Sequence, residues 1–194
     1  MRNVIRIAVC GAGFAGDFHT KGWQNVKLRG YDVEVTAIVN RSKPKADKLM
    51  QKYGVENYFE NTDQLLSSQI GTQIDLVDVC YPPFLHAPVA IQAADAKKHV
   101  IVEKMFTGYA PGKEFENQPI GDTVSKYIMH KEAMREAIAI KEAIQANNVM
   151  LGYAENWGYA PGVDVVIDKI KQSNSHILYG SGIEAHHGSA SDSY

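Results

Sequence analysis

Three glycines near the start of the chain have a spacing that suits the binding of a phosphate group. Gly11, Gly13 and Gly16 form the pattern G-x-G-x-x-G between an apolar, strand-like run and a helix-like segment. In this context the first glycine permits a tight turn, the second lets the backbone approach a pyrophosphate, and the third allows close helix packing. The N–H groups of Phe14 and Ala15 then face the anion. The pattern predicts dinucleotide binding; an ordinary glycine-rich turn is the alternative.

The residues after the second apolar run bear on the choice between NADP and NAD. An acidic residue there commonly binds the ribose 2′-hydroxyl, whereas a nearby arginine accommodates a 2′-phosphate. This chain has Asn40, Arg41 and Ser42 at that place, followed by several lysines. Arg41 offers a planar fork of donors that suits a phosphate. We therefore expect NADP in preference to NAD, with solvated charges on a helix face as the alternative.

A proline-rich turn follows the apolar strand that ends at Cys80. It contains Tyr81, Pro82 and Pro83, and His86 comes at the start of the next helix-like segment. The prolines fix the path of the turn, which can cover one end of a dinucleotide at the carboxyl edge of a sheet. We expect Tyr81, Pro82 and His86 to contact the cofactor; a capping or packing role is the alternative for the histidine.

Groups suited to substrate chemistry follow two later strands. Glu103 and Lys104 come directly after four apolar residues, so they lie at the mouth of the predicted sheet. A lysine there can donate to a substrate oxygen and pass its proton during hydride transfer, although exposed lysines without such a role are common. Asn156, Trp157 and Tyr159 offer an amide and aromatic rings to a hydroxyl-rich substrate, or equally pack a domain hinge.

The composition argues against several other classes of protein. The net charge of the 194-residue chain is −2, which disfavours nucleic acid as the main partner. No apolar run is long enough to span a membrane, and the strand-like start carries no signal segment, so we expect a cytoplasmic protein. Cys10 and Cys80 end apolar runs and are expected to be small buried side chains. The histidines have no partners at metal-ligand spacing, so no metal site is expected.

The segments that must position these groups alternate between strand and helix. Strands are predicted at 4–9, 33–39, 57–59, 75–80, 99–102 and 149–153, and helices at 15–28, 43–53, 62–66, 84–96, 125–147 and 158–173. This order predicts an α/β fold with a doubly wound parallel sheet of Rossmann type. Residues 106–123 are expected to form a long loop near the ligand, and residues 177–187 one more strand.

Three stretches together resemble one family, the Gfo/Idh/MocA oxidoreductases, named after glucose–fructose oxidoreductase, inositol dehydrogenase and a rhizopine-catabolism protein. The stretches are GAGFAG at 11–16, YPPFLHAPVAIQAADAKKHVIVEK at 81–104 and AENWGYAP at 154–161. The resemblance implies a Rossmann domain at 1–155 and, at 156–194, the beginning of an α/β domain that carries substrate-binding and oligomerisation surfaces. It also implies NAD(P)-dependent oxidation or reduction of sugars and polyols, commonly in homo-oligomers, with Lys104 touching substrate and nicotinamide.

The sequence departs from the family pattern in two respects. Met105 stands where the family has a proline preceded by a cis bond; because a cis bond without proline costs about 2.5–4 kcal/mol, we expect a trans bond and a displaced Lys104. The family's downstream Asp-x-x-x-His motif is missing from the 194 residues. Two alternatives to a working oxidoreductase therefore remain: a non-catalytic NAD(P)-binding sensor or regulatory module, and an inactive truncated form.

Overall fold

The computed structural model describes residues 4–109, 120–174 and 176–179. The strands are β1 Ile5–Cys10, β2 Val33–Val39, β3 Asn57–Phe59, β4 Leu76–Val79, β5 His99–Glu103 and β6 Leu151–Ala154. The helices are α1 Phe14–Leu28, α2 Lys43–Tyr53, α3 Thr62–Leu66, α4 Gln69–Gln73, α5 His86–Asp95, α6 Ile120–Thr123, α7 Lys126–Asn147 and α8 Pro161–Ser173. Short 3₁₀ turns cover Pro83–Leu85 and Asn156–Tyr159.

All the strand pairs are parallel, and the sheet order is β3-β2-β1-β4-β5-β6. This is the Rossmann order, so the predicted α/β class is confirmed. Cys10 is level with Val39 on one side and with Val79 on the other, and Val79 is level with Val102. The loops that follow these four strands therefore leave the sheet at one edge. Strands β2 and β3 are added on one side of β1 and strands β4 to β6 on the other, so the strand order reverses between β1 and β4, and ligands of such sheets bind in the crevice at that switch point.

Both faces of the sheet are covered, which is why β1 is apolar and buried from Ile7 to Cys10. Ile7, Val9 and Ile38 pack against the side of α1 and α2, together with Ala46 and Leu49. The opposite face packs against α5 and α7; its buried members include Ala8, Val77, Val79, Val100, Val102, Ala90 and Ile140. The site residues at the carboxyl edge thus stand on a rigid core.

The chain divides into two units, Met1–Glu155 and Asn156–Tyr194. The described part of the second unit is the 3₁₀ turn and α8, which begins at a proline in its first turn and is followed by Asn174 in the left-handed conformation. That residues 156–194 start a substrate or oligomerisation domain stays a prediction. Among the described helices, none combines the length and the apolar character needed to cross a bilayer.

Several predicted boundaries were wrong. The helix expected at 84–96 is a 3₁₀ turn followed by α5, because the proline pair forces a separate turn first. The helix expected at 158–173 starts only at Pro161, because a proline suits the first turn of a helix and keeps the preceding Ala160 extended. Helix α4 was missed because Gln69–Gln73 has a central glycine and no apolar periodicity.

Two longer segments also differ from expectation. Residues 177–179 of the predicted strand at 177–187 are irregular, since none of the described strands pairs with them; the remainder lies outside the described residues. The predicted loop at 106–123 contains the helical turn α6, and its residues 110–119 also lie outside the described part.

Candidate functional site

The glycine turn after β1 packs closely against the ends of the neighbouring strands. Gly11 has φ of +124°, and a Cβ atom on it would lie 2.6 Å from the carbonyl oxygen of Cys80. Its N–H donates to the Val39 carbonyl at 2.8 Å. A Cβ atom on Gly16 would lie only 2.0 Å from the Gly11 carbonyl oxygen, so α1 packs directly on the turn. The fold itself therefore requires two of the three glycines.

Gly13 is different, because no atom lies within 4 Å of the position that its Cβ would occupy. It is the N-cap residue of α1 and has no side chain to satisfy the first-turn N–H groups. Phe14 and Ala15 supply the next amides, and the Phe14 ring is 86% exposed. The turn thus combines open space with unsatisfied donors at the positive end of a helix, which is the arrangement that binds an anion.

Asn40 connects this turn to the end of β2. Its Oδ1 accepts from the Ala12 N–H at 3.1 Å, and its Nδ2 donates to the Ser42 carbonyl at 2.9 Å. Tyr58 donates its hydroxyl to the Asn40 carbonyl at 3.1 Å. Asn40 Oδ1 therefore ties the end of β2 to the glycine turn, and Nδ2 binds the turn that follows β2. Direct contact of Asn40 with the cofactor stays a prediction.

Arg41 is exposed, and no hydrogen bond or ion pair joins it to another residue in the described ranges. Two of the neighbouring lysines are already paired: Lys43 with Asp47 at 2.6 Å and Lys52 with Asp17 at 2.7 Å. Among the described residues, the Arg41 guanidinium is therefore one of the basic groups near the end of β2 that have no ion-pair partner.

The proline turn after β4 lies beside the glycine turn. The Tyr81 hydroxyl donates to the Val39 carbonyl at 3.1 Å, and burial of the ring raises the pKa of this phenol. Pro82 is exposed at the edge. His86 is completely buried, with Nε2 2.6 Å from the Tyr81 carbonyl and Nδ1 3.3 Å from the Phe106 carbonyl.

His86 lies between the turn after β4 and the turn after β5. Burial lowers the pKa of its imidazole, which favours the neutral ring. A neutral ring has one N–H to donate, so it can hydrogen-bond only one of the two carbonyls, and the shorter contact is to Tyr81. The burial favours the packing role that was the alternative for His86; its contact with the cofactor stays a prediction.

The peptide bond between Lys104 and Met105 is cis, so the predicted trans bond was wrong. The prediction weighed only the energy of the isolated bond, whereas in the folded chain strand β5 fixes the backbone that leads into it. Lys104 is exposed at the carboxyl end of β5.

Glu103, the last residue of β5, is only partly accessible. Its Oε2 is buried and has no hydrogen-bond partner in the described part of the chain. Burial raises the pKa of this carboxyl group; the charges of His19 and Lys104 act in the opposite direction, and those of Asp78 and Glu155 reinforce the rise. The charges around Glu103 therefore shift the pKa of its carboxyl group in opposite directions.

A buried polar cluster behind this edge was missed from the sequence. Asp78 lies in β4 with no exposed surface, yet it accepts from His19 Nδ1 at 2.9 Å and from Trp23 Nε1 at 2.7 Å. The Cys80 thiol is a third donor at 3.6 Å, because burial holds its pKa well above the usual value. The signal in the sequence was an acidic residue alone inside the apolar strand LVDV.

Asp78 favours the charged form of His19. Burial by itself lowers the pKa of the imidazole, but the hydrogen bond and the negative charge of Asp78, together with the charge of Glu103, outweigh it and raise the pKa overall. His19 is 13% exposed and Asp78 is fully buried, so solvent screens the pair little.

The raised pKa of His19 predicts a pH-dependent contribution to stability. The imidazole gains a proton more readily in the folded than in the unfolded chain, so its stabilisation is complete below about pH 6.5 and is lost as pH rises through the folded pKa. Urea unfolding of wild type and His19→Gln should therefore give a larger difference in unfolding free energy at pH 5.5 than at pH 8.5. A difference that grows with pH would contradict this assignment.

Asn156, Trp157 and Tyr159 lie in the 3₁₀ turn at the start of the second unit. The Tyr159 ring is 72% exposed. That these residues contact substrate stays a prediction.

Comparisons with known proteins agree with this geometry. Residues 5–114 match the family described as oxidoreductases with an NAD-binding Rossmann fold, GFO_IDH_MocA. A 4-carboxy-2-hydroxymuconate-6-semialdehyde dehydrogenase from a Sphingobium species is 33% identical over 51% of this chain and 29% of its own length. A myo-inositol 2-dehydrogenase from Thermotoga maritima is 31% identical over 52% of this chain and 28% of its own length.

The fold is also shared with a solved structure, scyllo-inositol dehydrogenase from Lactobacillus casei with bound NAD(H) and scyllo-inositol. The TM-score is 0.67 at 17% identity, over 89% of this chain and 42% of that chain. The matched part of the chain thus spans less than a third of the two curated relatives and about two-fifths of the solved structure. The family match covers more than half of the sequence and coincides with the glycine turn, the proline turn and the Glu103–Lys104 strand end. The chain therefore belongs to the Gfo/Idh/MocA family of oxidoreductases with an NAD-binding Rossmann fold.

Proposed function

We propose that this chain binds a nicotinamide dinucleotide across the carboxyl edge of its sheet and that it serves the oxidation or reduction of a sugar or polyol. The observation that carries the proposal is the open position above Gly13, which lies between two glycines that the fold needs for its own packing. A pyrophosphate placed there would meet the free N–H groups at the start of α1. The residues present therefore fit the group.

The dinucleotide, when bound, would give or take the hydride at a carbinol or carbonyl carbon of the substrate. Lys104 would donate a hydrogen bond to the substrate oxygen and hold the proton that leaves or joins that oxygen. Glu103 would keep a negative charge beside the lysine. Tyr81 and Pro82 would form one wall of the crevice. Asn156, Trp157 and Tyr159 of the second unit stay proposed, on residue type alone, as contacts for the hydroxyl groups of a substrate.

The binding site is tested best at the glycine that the fold does not need. Gly13→Ala should lower stability by no more than about 1 kcal/mol, the cost of alanine at a helix N-cap, because the added methyl group meets no atom beyond the chain neighbours. It should weaken NADH binding at least about tenfold by occupying the approach of the pyrophosphate. Gly22→Ala is the matched control, since Gly22 lies in the same helix and its Cβ position is also open. Fluorescence titration measures both. If wild type and both variants bind NADH with equal affinity, the proposed site is wrong.

The preference for NADP is a finer proposal, supported by the unpaired guanidinium of Arg41. Arg41→Ala should weaken NADPH about tenfold and NADH little, because only NADPH has the 2′-phosphate. The control is Arg29→Ala, which removes another exposed arginine, at the end of α1 away from the glycine turn. Equal losses for the two cofactors in Arg41→Ala would reject the preference.

Substrate turnover is tested with a panel of sugars and polyols once binding is established. Lys104→Ala should abolish turnover while leaving the affinity for NADH within about twofold, because the lysine acts on the substrate oxygen. Turnover that survives this substitution would reject the proposed role of Lys104. Tight cofactor binding without turnover of any panel member by the wild-type chain would instead favour a cofactor-binding module.

A further inference from the structure

Three side chains whose atoms commonly bind metal ions meet where α1 packs on β4. They are His19 of α1, Asp78 of β4 and Cys80, the residue that follows β4. His19 Nδ1 lies 2.9 Å from Asp78 Oδ1, and Cys80 Sγ lies 3.6 Å from the same oxygen. All three ligand atoms lie within 4.8 Å of one another. An imidazole, a carboxylate and a thiol are ligand types that zinc takes in proteins.

We propose that His19, Asp78 and Cys80 form a binding site for a divalent transition metal ion of the zinc class, which would join α1 to the end of β4. The site goes beyond the proposed function, because it uses none of the residues proposed for the dinucleotide or the substrate. No metal site was expected from the sequence, where the histidines lack partners at ligand spacing. His19 and Asp78 are 59 positions apart, and only the fold brings them together.

The spacing of the three ligand atoms is close to that of tetrahedral coordination. Zinc bonds of about 2.0–2.3 Å place neighbouring ligand atoms about 3.3–3.6 Å apart. The separations in the structure are 2.9 Å, 3.6 Å and at most 4.8 Å, so small side-chain rotations would admit an ion. Three protein ligands leave the fourth position of a tetrahedron to a water molecule or another small ligand.

A tryptophan orients the carboxylate that would bind the ion. Trp23 Nε1 donates to Asp78 Oδ2 at 2.7 Å. The other oxygen, Oδ1, has the shorter contact to His19 and the contact to Cys80. The hydrogen bond from Trp23 can therefore remain while Oδ1 binds the metal. Carboxylate ligands in metalloproteins are typically held by such hydrogen bonds, which fix the orientation of the ligand.

Metal binding would leave the net charge of this buried cluster unchanged. With His19 protonated, the imidazolium, the carboxylate and the thiol sum to zero. On binding, His19 and Cys80 each release a proton to solvent, and the carboxylate and the thiolate balance the divalent ion. No uncompensated charge is therefore created around Asp78, which is fully buried. The His19 side chain is 13% exposed, which gives the ion and the released protons a route to and from solvent.

Cobalt(II) absorption spectroscopy of the full chain tests the site, because Co²⁺ occupies zinc sites and a thiolate bound to it gives an intense near-ultraviolet charge-transfer band. Wild type titrated with CoCl₂ should develop this band with an end point at about one Co²⁺ per chain, and ZnCl₂ should abolish it. Cys80→Ala should show no band. Cys10→Ala is the matched control and should keep the full band, because Cys10 is also buried but packs in the other core cluster.

The remaining ligands are tested on the same band. His19→Gln keeps the thiol and loses one ligand, so it should need at least about tenfold more Co²⁺ to reach half of the band. His130→Gln alters an exposed histidine on α7 and should titrate like wild type. A wild-type chain without a thiolate band at excess Co²⁺, or a band that survives in Cys80→Ala, would overturn the proposal.

Unfolding in urea gives a second measurement that uses Zn²⁺ itself. A slight excess of ZnCl₂ should raise the urea midpoint of wild type and of Cys10→Ala, because the assembled site exists only in the folded chain. The midpoint of Cys80→Ala should be the same with and without Zn²⁺. No rise in wild type, or an equal rise in Cys80→Ala, would contradict the proposed site. Neither measurement involves NADH, so failure of the chain to bind the dinucleotide would leave both results interpretable.

Discussion

Gly16→Ala is expected to lower the free energy of unfolding by about 3 kcal/mol, the upper part of the range for overpacking a rigid site. The new Cβ atom would lie 2.0 Å from the carbonyl oxygen of Gly11 and 2.8 Å from its carbonyl carbon. These are backbone atoms of a turn that also hydrogen-bonds to Val39, so neither partner can move aside cheaply. Helix α1 would have to shift away from the sheet.

Gly22→Ala provides the comparison within the same helix. Its Cβ position is open, and alanine in a helix interior is more favourable than glycine by up to about 1 kcal/mol, so this variant should be slightly more stable than wild type. Urea unfolding followed by circular dichroism measures both variants. If Gly16→Ala unfolds at the same urea concentration as Gly22→Ala, the close packing of α1 on the turn is incorrect.

Asp78→Asn is expected to cost about 3 kcal/mol, because it removes one partner of a buried ion pair and leaves the other in place. Asparagine has nearly the same shape as aspartate, so no cavity forms. The lost stability therefore measures the removed charge and the removed hydrogen-bond acceptor. An asparagine amide offers one acceptor oxygen to His19 and Trp23, and its NH₂ group faces donors that it cannot satisfy.

A double-mutant cycle separates this pair from general damage to the core. The coupling free energy between Asp78→Asn and His19→Gln should reach about 1–3 kcal/mol, as for residues in direct buried contact. The same cycle between Asp78→Asn and His130→Gln should give a value near zero, since His130 lies exposed on α7. Additive effects of the two cluster substitutions would show that Asp78 and His19 stabilise the protein independently.

The parts of the protein that were predictable from the sequence are those with local signals. The predicted limits agree with the structure for β2, α2 and β3. Their signals are local: apolar periodicity within each segment, and a proline and a glycine at the two ends of α2. The glycine turn was predictable for the same reason: its spacing, its strand and its helix occur within about twenty residues of sequence.

The parts that were missed depend on contacts between distant segments. His19 and Asp78 are 59 residues apart in sequence, and only the packing of α1 on β4 brings them together. The hydrogen bond from the Ala12 N–H to the Asn40 side chain joins residues 28 positions apart and has no local signal either. His86 reaches a carbonyl 20 residues downstream. The residue type at each of these positions indicated what chemistry it could do. Its hydrogen-bond partner, which decides what the side chain does, is set by the packing of distant segments.

The most direct test of dinucleotide binding is a titration of NADH into nitrogen-15-labelled protein, followed through the amide resonances of the glycine turn. Saturable shifts are expected for Gly13, Phe14 and Ala15, with the Gly22 amide of the same helix unaffected. If these three amides stay unchanged at saturating NADH, or if the shifts cluster elsewhere on the molecule, the anion site at the start of α1 does not exist and the proposed function fails with it.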